Sequence, residues 1–306
     1  MLRRIVERLL VSLGVIFGAV TLIFLILNWL PGDAATLIAG EDASPETVHH
    51  LRVKLGTDRP LSDQYRSYLN GVIHGDLGTS YVTREPVVRR LAAQLPSTLA
   101  LTFSACSLAV LLGVSVGVLS VLYRGRWLDH AIQSVSLFVH SMPSFWLGML
   151  LIEFFALQMR WLPTSGYGEP RHLVLPAVTL ATILLPNFVL ITRTSILELM
   201  SEQFVVTGRS KGLSRRRVLF THVLPNAVNP VLSFLGVQVG TLMAGSIITE
   251  TIYAWPGVGR LLISSIFNRD VPVVEAAVFF IATAIALANL TVDVLQMLID
   301  PRIRRA

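Results

Sequence analysis

The chain has 306 residues, of which 53% are hydrophobic and only 14% charged, with a formal net charge of +6. A soluble chain of that length would need more charged surface, so a water-soluble domain is excluded. The basic excess sits in short loops between apolar runs and leaves no footprint for nucleic acid.

Six apolar runs reach the roughly 20 helical residues that cross a bilayer. They lie near 9–30, 97–122, 131–157, 173–197, 230–250 and 274–299. An all-α integral membrane protein with six transmembrane helices is expected. The first run is too long for the apolar part of a secretory signal. Pro31-Gly32-Asp33 behind it is no small-residue cleavage site, so it reads as a retained span. Arg3, Arg4 and Arg8 precede it, Arg124 and Arg126 follow the second run, and Arg209, Lys211 and Arg215 to Arg217 follow the fourth. Arg302, Arg304 and Arg305 close the chain. With six spans all of these fall on one side, which the positive-inside rule makes the cytoplasm, so both termini are expected there.

Residues 31–96 form the one sizeable block outside the membrane and are expected to be a small extracytoplasmic helical segment. Ser44-Pro45-Glu46 has the form of an N-cap with proline at the first helical position, and Gly56 suits the end of that helix. Leu61, Tyr65, Tyr68, Leu69, Val72 and Ile73 make one apolar stripe at helical spacing, with Gly75 as its terminator. Val88, Leu91, Ala92 and Leu95 mark a third amphipathic stretch running into the second span. Whether this cap touches a ligand or only spaces the helices stays open. Cys106 lies mid-membrane, so no disulfide framework exists, and it reads as a small packing residue.

Pro143, Pro176 and Pro186 interrupt the third and fourth runs and predict kinks. Polar residues inside spans are candidates for lining a pathway: Asn187, Gln238, Glu250, Asn289 and Asp293. The competing reading is hydrogen-bonded glue between helices. Glu153 lies nearer an outer end, and His140 beside Ser141-Met142-Pro143 reads as a packed residue at a kink. One histidine makes no metal site. Between the last two spans, Trp255-Pro256-Gly257-Val258-Gly259-Arg260 opens a short amphipathic helix, and Tyr253 and Trp255 suit an interfacial belt.

The loop from Glu202 to Pro225 is the most informative segment. Glu202 to Lys211 predicts a helix with Arg209 and Lys211 in its last turn, Gly212 a left-handed terminator, and Ser214 the cap of a second helix that ends at Pro225. Two short helices meeting at a glycine make a stiff knob, suited to docking. A loop that only sets topology would need neither Gly212 nor Pro225.

This loop resembles the EAA loop of permease subunits in binding-protein-dependent ABC importers. The signature is EAA, three residues, Gly, nine residues, then I-x-L-P. Val206-Thr207-Gly208 stands at EAA, Gly212 at the glycine, and His222-Val223-Leu224-Pro225 at the end. The variant T-A-R-A-K-G-L-S of the peptide-permease branch fits better, as Thr207-Gly208-Arg209-Ser210-Lys211-Gly212-Leu213-Ser214. The whole chain is similar to the first permease subunit of dipeptide, oligopeptide, nickel and glutathione importers. The matching segments are Leu30 to Asp33, Gly75 to Ser80, Trp255 to Gly259, Arg269 to Pro272, Asn289 to Asp293 and Asp300 to Arg304.

The resemblance implies a type I importer permease fold in a bacterial cytoplasmic (inner) membrane. Its division would be 1–30 for the stub and first span, 31–96 for the extracytoplasmic segment, and 97–306 for the core with the coupling loop 202–225. Thr207, Gly208, Arg209, Lys211, Gly212, Leu213 and Pro225 would couple to the motor. The implied partners are a homologous second permease, two cytoplasmic ATPase subunits and an extracytoplasmic solute-binding protein. ATP and Mg would be bound by the ATPases, with no cofactor on this chain. Peptides are the expected solute, with glutathione-like tripeptides, nickel complexes and opines also carried by similar permeases. Whether the second permease is a paralogue or another copy stays open.

The chain has no G-x-x-x-x-G-K-[ST], H-E-x-x-H or G-x-S-x-G, so no catalytic or metal residues are expected. The alternatives are an intramembrane hydrolase built around His140 and a nearby serine, and a channel or secondary carrier without nucleotide coupling. The first lacks any supporting spacing, and the second leaves the knob unexplained.

Overall fold

The structure is a computed structural model that describes residues 2–29, 34–40 and 43–299, without the side chains of 2–5, 34, 37, 243–245, 292–293 and 295–299. The segments Leu30 to Asp33 and Asp300 to Arg304, the acids Glu41 and Asp42, the closing arginines and the Asp293 side chain lie outside that description.

Helix α1 (Leu2–Trp29) buries Val20 and Phe24 and leaves most of its other apolar side chains exposed, as a lipid-facing helix does. A short α2 (Ala34–Ala39) leads to α3 (Pro45–Leu55), whose first turn is capped as expected: Ser44 Oγ accepts the Thr47 amide at 3.2 Å. The apolar stripe of α4 (Leu61–His74) lies on α1. There the hydroxyls of Tyr65 and Thr21 meet at 2.6 Å, and the Tyr68 ring stacks on Phe24 with centroids 5.9 Å apart. The cap is therefore fastened to the first span by its own aromatic face.

Helix α5 (Val87–Leu122) is continuous for 36 residues, about 54 Å at 1.5 Å per residue. The boundary expected at 96/97 falls inside it, because Pro96 lies within the helix and the amphipathic stretch and span share one axis.

The expected third span is broken. Helices α6 (Trp127–His140) and α7 (Ser144–Leu151), the latter continued by a π-helical stretch Ile152–Gln158, are bent by 101° at Ser141-Met142-Pro143. Proline supplies no amide and disfavours helical geometry in the residue before it, so the chain turns there. Pro176 and Pro186 behave differently. Both are buried inside α8 (Pro170–Leu199), which stays one helix because its inner side packs along α5.

The chain then forms α9 (Gln203–Ser210), α10 (Arg215–Val218), a π-helical turn Leu219–Val223, and α11 (Leu224–Gly245). Helices α12 (Ile247–Ile252), α13 (Val258–Phe267) and α14 (Val271–Ile299) complete it. Among the described residues five helices are long and apolar enough to cross a membrane, and the bent pair makes a sixth when counted as one span.

The core runs between α5 and α8. Ala105, Ala109 and Ala181 let the backbones approach while Leu101, Leu180 and Phe188 fill the seam. In a bilayer such contacts act by dispersion and fit more than by expulsion of water. At one end, Val87 and Leu91 pack with Val258, Leu262 and Val274, joining the cap to α13 and α14. The far end holds the 200–225 segment, packed on α5 and α8 through Val118, Val121 and Ile196.

Tyr253 and Trp255 are not interfacial. They are 1% and 3% exposed. Tyr253 donates its hydroxyl to Gly148 O at 3.1 Å and meets the Thr179 hydroxyl at 2.9 Å, while Trp255 Nε1 donates to Ser97 O at 2.9 Å. Interior partners for both polar tips make full burial favourable.

Candidate functional site

The knob forms as local chemistry dictates. Helix α9 ends at Ser210 with Lys211 as its C-cap, and Gly212 takes φ 81° with its amide donating to Arg209 O at 2.9 Å. A side chain at that φ is strained, although a Cβ there would meet nothing within 4 Å. Glycine is thus needed for the backbone and not for space. Leu213 N returns to Gly208 O at 3.3 Å, and Ser214 Oγ accepts the Arg217 amide at 3.4 Å to start α10.

Pro225 does not end the second helix. The turn Leu219–Val223 is π-helical, and the Leu224 amide donates to Leu219 O. The wider turn sits one residue before α11, so Pro225 occupies the first turn of that helix, where its missing amide costs little. Residues Arg215–Leu242 consequently form one 28-residue helical rod. The second helix of the knob is therefore the end of a span, and only α9 is a short helix between spans.

Its two faces differ. Val205, Val218, Leu219 and Val223 are buried against Val118 and Val121 of α5 and Ile196 of α8. Gly208 is buried too, with Val218 and Leu213 around it. Outward lie Thr207, Arg209, Lys211 and Gly212, with Phe204, Val206 and the arginines 215–217 also exposed; Leu213 is half-buried. A rigid back thus presents a face that is cationic with apolar points.

Directly behind the knob is a charged clamp that sequence reading missed. Asp129 of α6 is 2% exposed. Its Oδ1 accepts from Ser120 Oγ at 2.5 Å, Gln133 Nε2 at 3.0 Å and Arg193 Nε at 3.1 Å. Its Oδ2 accepts from Arg193 Nη2 and Gly125 N, both at 3.1 Å. One ion pair therefore ties α5, α6 and α8 together. The available signal was Arg193, a lone base inside the fourth apolar run.

At the other end, Asp270 Oδ2 accepts from Ser80 Oγ at 2.5 Å and Arg90 Nη1 at 3.1 Å, and Oδ1 from Tyr81 N at 2.8 Å. Sequence reading had both partners inside separate motifs, Gly75 to Ser80 and Arg269 to Pro272, without joining them.

The candidate pathway residues divide. Asn187 on α8 and Gln238 on α11 are half-buried and Asn289 on α14 is exposed, carried by helices that pack as α8 on α11 and α11 on α14. Glu250 stands apart and is corrected: it is fully buried and faces donors, not an opening. Its Oε1 accepts from Thr98 Oγ1 and Ser246 Oγ, both at 3.0 Å, and its Oε2 from Arg260 N at 2.9 Å. Gly257 lies so close that a Cβ there would be 2.2 Å from the Glu250 carboxyl carbon. Glu250 is the anchor of the turn before α13. His140 and Glu153 are both exposed. No cluster of three His, Cys, Asp or Glu that could hold a metal occurs among the described residues.

Comparison with known proteins gives this geometry a family. Residues 109–305 match the binding-protein-dependent transport system inner membrane component family, and residues 1–102 match its N-terminal companion. The chain is 38% identical over 304 residues to the glutathione transport system permease protein GsiC of Escherichia coli K12, covering 99% of each. It is 40% identical over 333 residues to the di/tripeptide transport system permease protein DppB of Pseudomonas aeruginosa UCBPP-PA14, again covering 99% of each. In three dimensions it is similar to the inward-facing MetNI methionine ABC transporter, with TM-score 0.61 and 19% identity over 71% of this chain and 99% of that one. A second likeness is to an amino acid ABC transporter, with TM-score 0.52 and 21% identity over 70% of this chain and 94% of that one. These structures show the fold, the type I importer permease fold. The chain belongs to the binding-protein-dependent transport system inner membrane components: it is a multi-pass permease subunit of an ABC importer.

Proposed function

We propose that this chain forms half of a translocation pathway for short peptides or a related small solute, and that the 203–224 loop couples it to an ATPase. The other half would be a homologous permease. Two ATPase subunits in the cytoplasm would bind ATP and Mg, and an extracytoplasmic solute-binding protein would deliver the solute. Both termini and the knob would face the cytoplasm, with residues 31–96 outside and residues 97–306 as the transport core.

The observation that carries the reading is the continuity of the knob with a membrane helix. A push on Arg209 or Lys211 acts on the end of the rod Arg215–Leu242 and, through Val205 and Val218, on α5 and α8. Closure of two ATPases on ATP would bring two such knobs together and rock the helices between two states. The peptide assignment rests on what the relatives carry, di- and tripeptides for one and glutathione for another. Asn187, Gln238 and Asn289 remain the proposed lining residues, with Asp293 one helical turn beyond Asn289 in sequence.

The test is a cross-link. A cysteine at Ser210, with native Cys106 buried, should join to an ATPase subunit in the assembled complex and respond to ATP. Absence of any ATPase adduct from positions 203–224 would sink the coupling role.

A further inference from the structure

The exposed faces of the spans differ in kind. From Leu9 to Ile26 every exposed residue of α1 is apolar or glycine, as lipid requires. The rod behind the knob is different. In its α11 part Asn226 and Asn229 are exposed and Ser233 is half-buried, and spacings of three and four put them on one face. Gly240, seven residues further on, shares that face and is buried there against α14. A Cβ on it would lie 3.5 Å from Ala288 Cβ and from Ile285 Cα. One face of α11 is thus covered by α14 at Gly240 and open over the turns nearer the knob. Asn289, next after Ala288, is exposed beside the covered part.

Hydrogen bonding says what this open face can meet. The hydroxyls here turn back on their own helices: Ser233 Oγ donates to Asn229 O and Thr241 Oγ1 to Val237 O, both at 3.0 Å, and Thr291 Oγ1 to Leu287 O at 2.7 Å. A hydroxyl satisfied in this way tolerates hydrocarbon. The Asn226 amide uses one donor hydrogen likewise, on His222 O at 2.7 Å. The side-chain amides of Asn229 and Asn289 make no hydrogen bond with any described residue. Each holds two donors and an acceptor that lipid cannot satisfy, so neither faces lipid and neither glues helices of this chain. They call for water or a polar solute. Helix α11 carries no ionisable side chain from Leu224 to Gly245, so the face offers donors and acceptors without net charge.

We propose that the face of α11 bearing Asn226, Asn229 and Ser233 borders a water-filled passage, with Asn289 of α14 at its rim, and that the Asn229 amide contacts the solute there. Asn229 thereby joins the lining residues, and the assignment rests on the reading that this chain forms half of a translocation pathway. A neutral amide matches the donor and acceptor of a peptide group, the chemistry of the short peptides proposed as cargo.

The experiment places single cysteines in the full chain, within the assembled complex in nanodiscs without nucleotide. Labelling uses sulfonatoethyl methanethiosulfonate, which does not enter lipid, and is read on this chain by mass spectrometry. Native Cys106 is buried, so the unaltered chain is the blank. Asn229→Cys and Ser233→Cys should label about tenfold faster than Leu13→Cys and Val15→Cys, at exposed apolar positions of α1. In proteoliposomes, Asn229→Trp should cut trialanine uptake severalfold at unchanged Tm, and Leu13→Trp should not. Labelling no faster than the α1 controls overturns the passage, whether lipid or a second permease covers the face. Fast labelling with uptake unaffected by Asn229→Trp overturns the solute contact. No uptake by the unaltered complex, or no ATPase adduct from Ser210, would be a failure of the proposed function, and labelling would still decide this face.

Discussion

Arg193 holds Asp129 through two parallel hydrogen bonds, Nε to Oδ1 and Nη2 to Oδ2, both 3.1 Å long. Planar pairing of this kind fixes direction as well as distance, so α8 and α6 cannot rotate independently where the knob rests. The bent third span, which has little core of its own, is held at this point.

Removing the base alone should be severe. Arg193→Met leaves a carboxylate that is 2% exposed without its countercharge, a loss of about 3–5 kcal/mol. Thermal unfolding in detergent should show a large fall in Tm. The double variant Arg193→Met with Asp129→Asn should recover much of it, because no bare charge remains.

The turn at Gly212 makes a separate prediction. Gly212→Val places a branched side chain at φ 81°, at a cost of about 1–2 kcal/mol, in a position with no neighbour to clash. Insertion and Tm of the spans should stay near normal while ATP-driven uptake in proteoliposomes collapses. Gly208→Ala should act oppositely. Its Cβ would rest 3.6 Å from Val218 Cγ2, ordinary contact, and α9 should gain roughly 0.5–1 kcal/mol.

Glu250 is expected to matter for folding before transport. Glu250→Ala strands the donors of Thr98, Ser246 and Arg260, each worth about 1–3 kcal/mol when buried and unpaired. Tm should drop strongly and protease should cut near residues 253–260. An intact Tm with altered solute selectivity would return Glu250 to the pathway.

A pH dependence follows from Tyr81. Its phenol is raised from 10.0 to about 12, so the folded state holds the proton more tightly than the unfolded chain does. The associated stability is full below pH 10 and is lost as pH rises through about 12. Tyr81→Phe should flatten the decline of Tm over that window relative to the unaltered chain.

Much of this molecule could be read from neighbours in sequence. The Ser44 cap, the left-handed Gly212 and the apolar stripe of α4 each depend on residues within about two helical turns, where dihedral limits and hydrogen-bond reach decide the outcome. The spans were legible for the same reason, since a bilayer demands an unbroken apolar stretch. The broken third span was half legible: Pro143 announced a kink, and only packing set it at 101°.

The sequence by itself thus determined the class, most of the spans, the cap helices and the glycine turn of the knob, while packing broke the third span and began the fifth at Arg215. The tertiary structure decided that Ser80 meets Asp270 across 190 positions, that Tyr253 and Trp255 turn inward, and that Glu250 anchors a turn. It also decided that Pro225 opens a span and does not close a loop. The physical reason is rotational. Periodicity shows that a helix has faces, but which face meets which neighbour depends on how all the helices fit together at once.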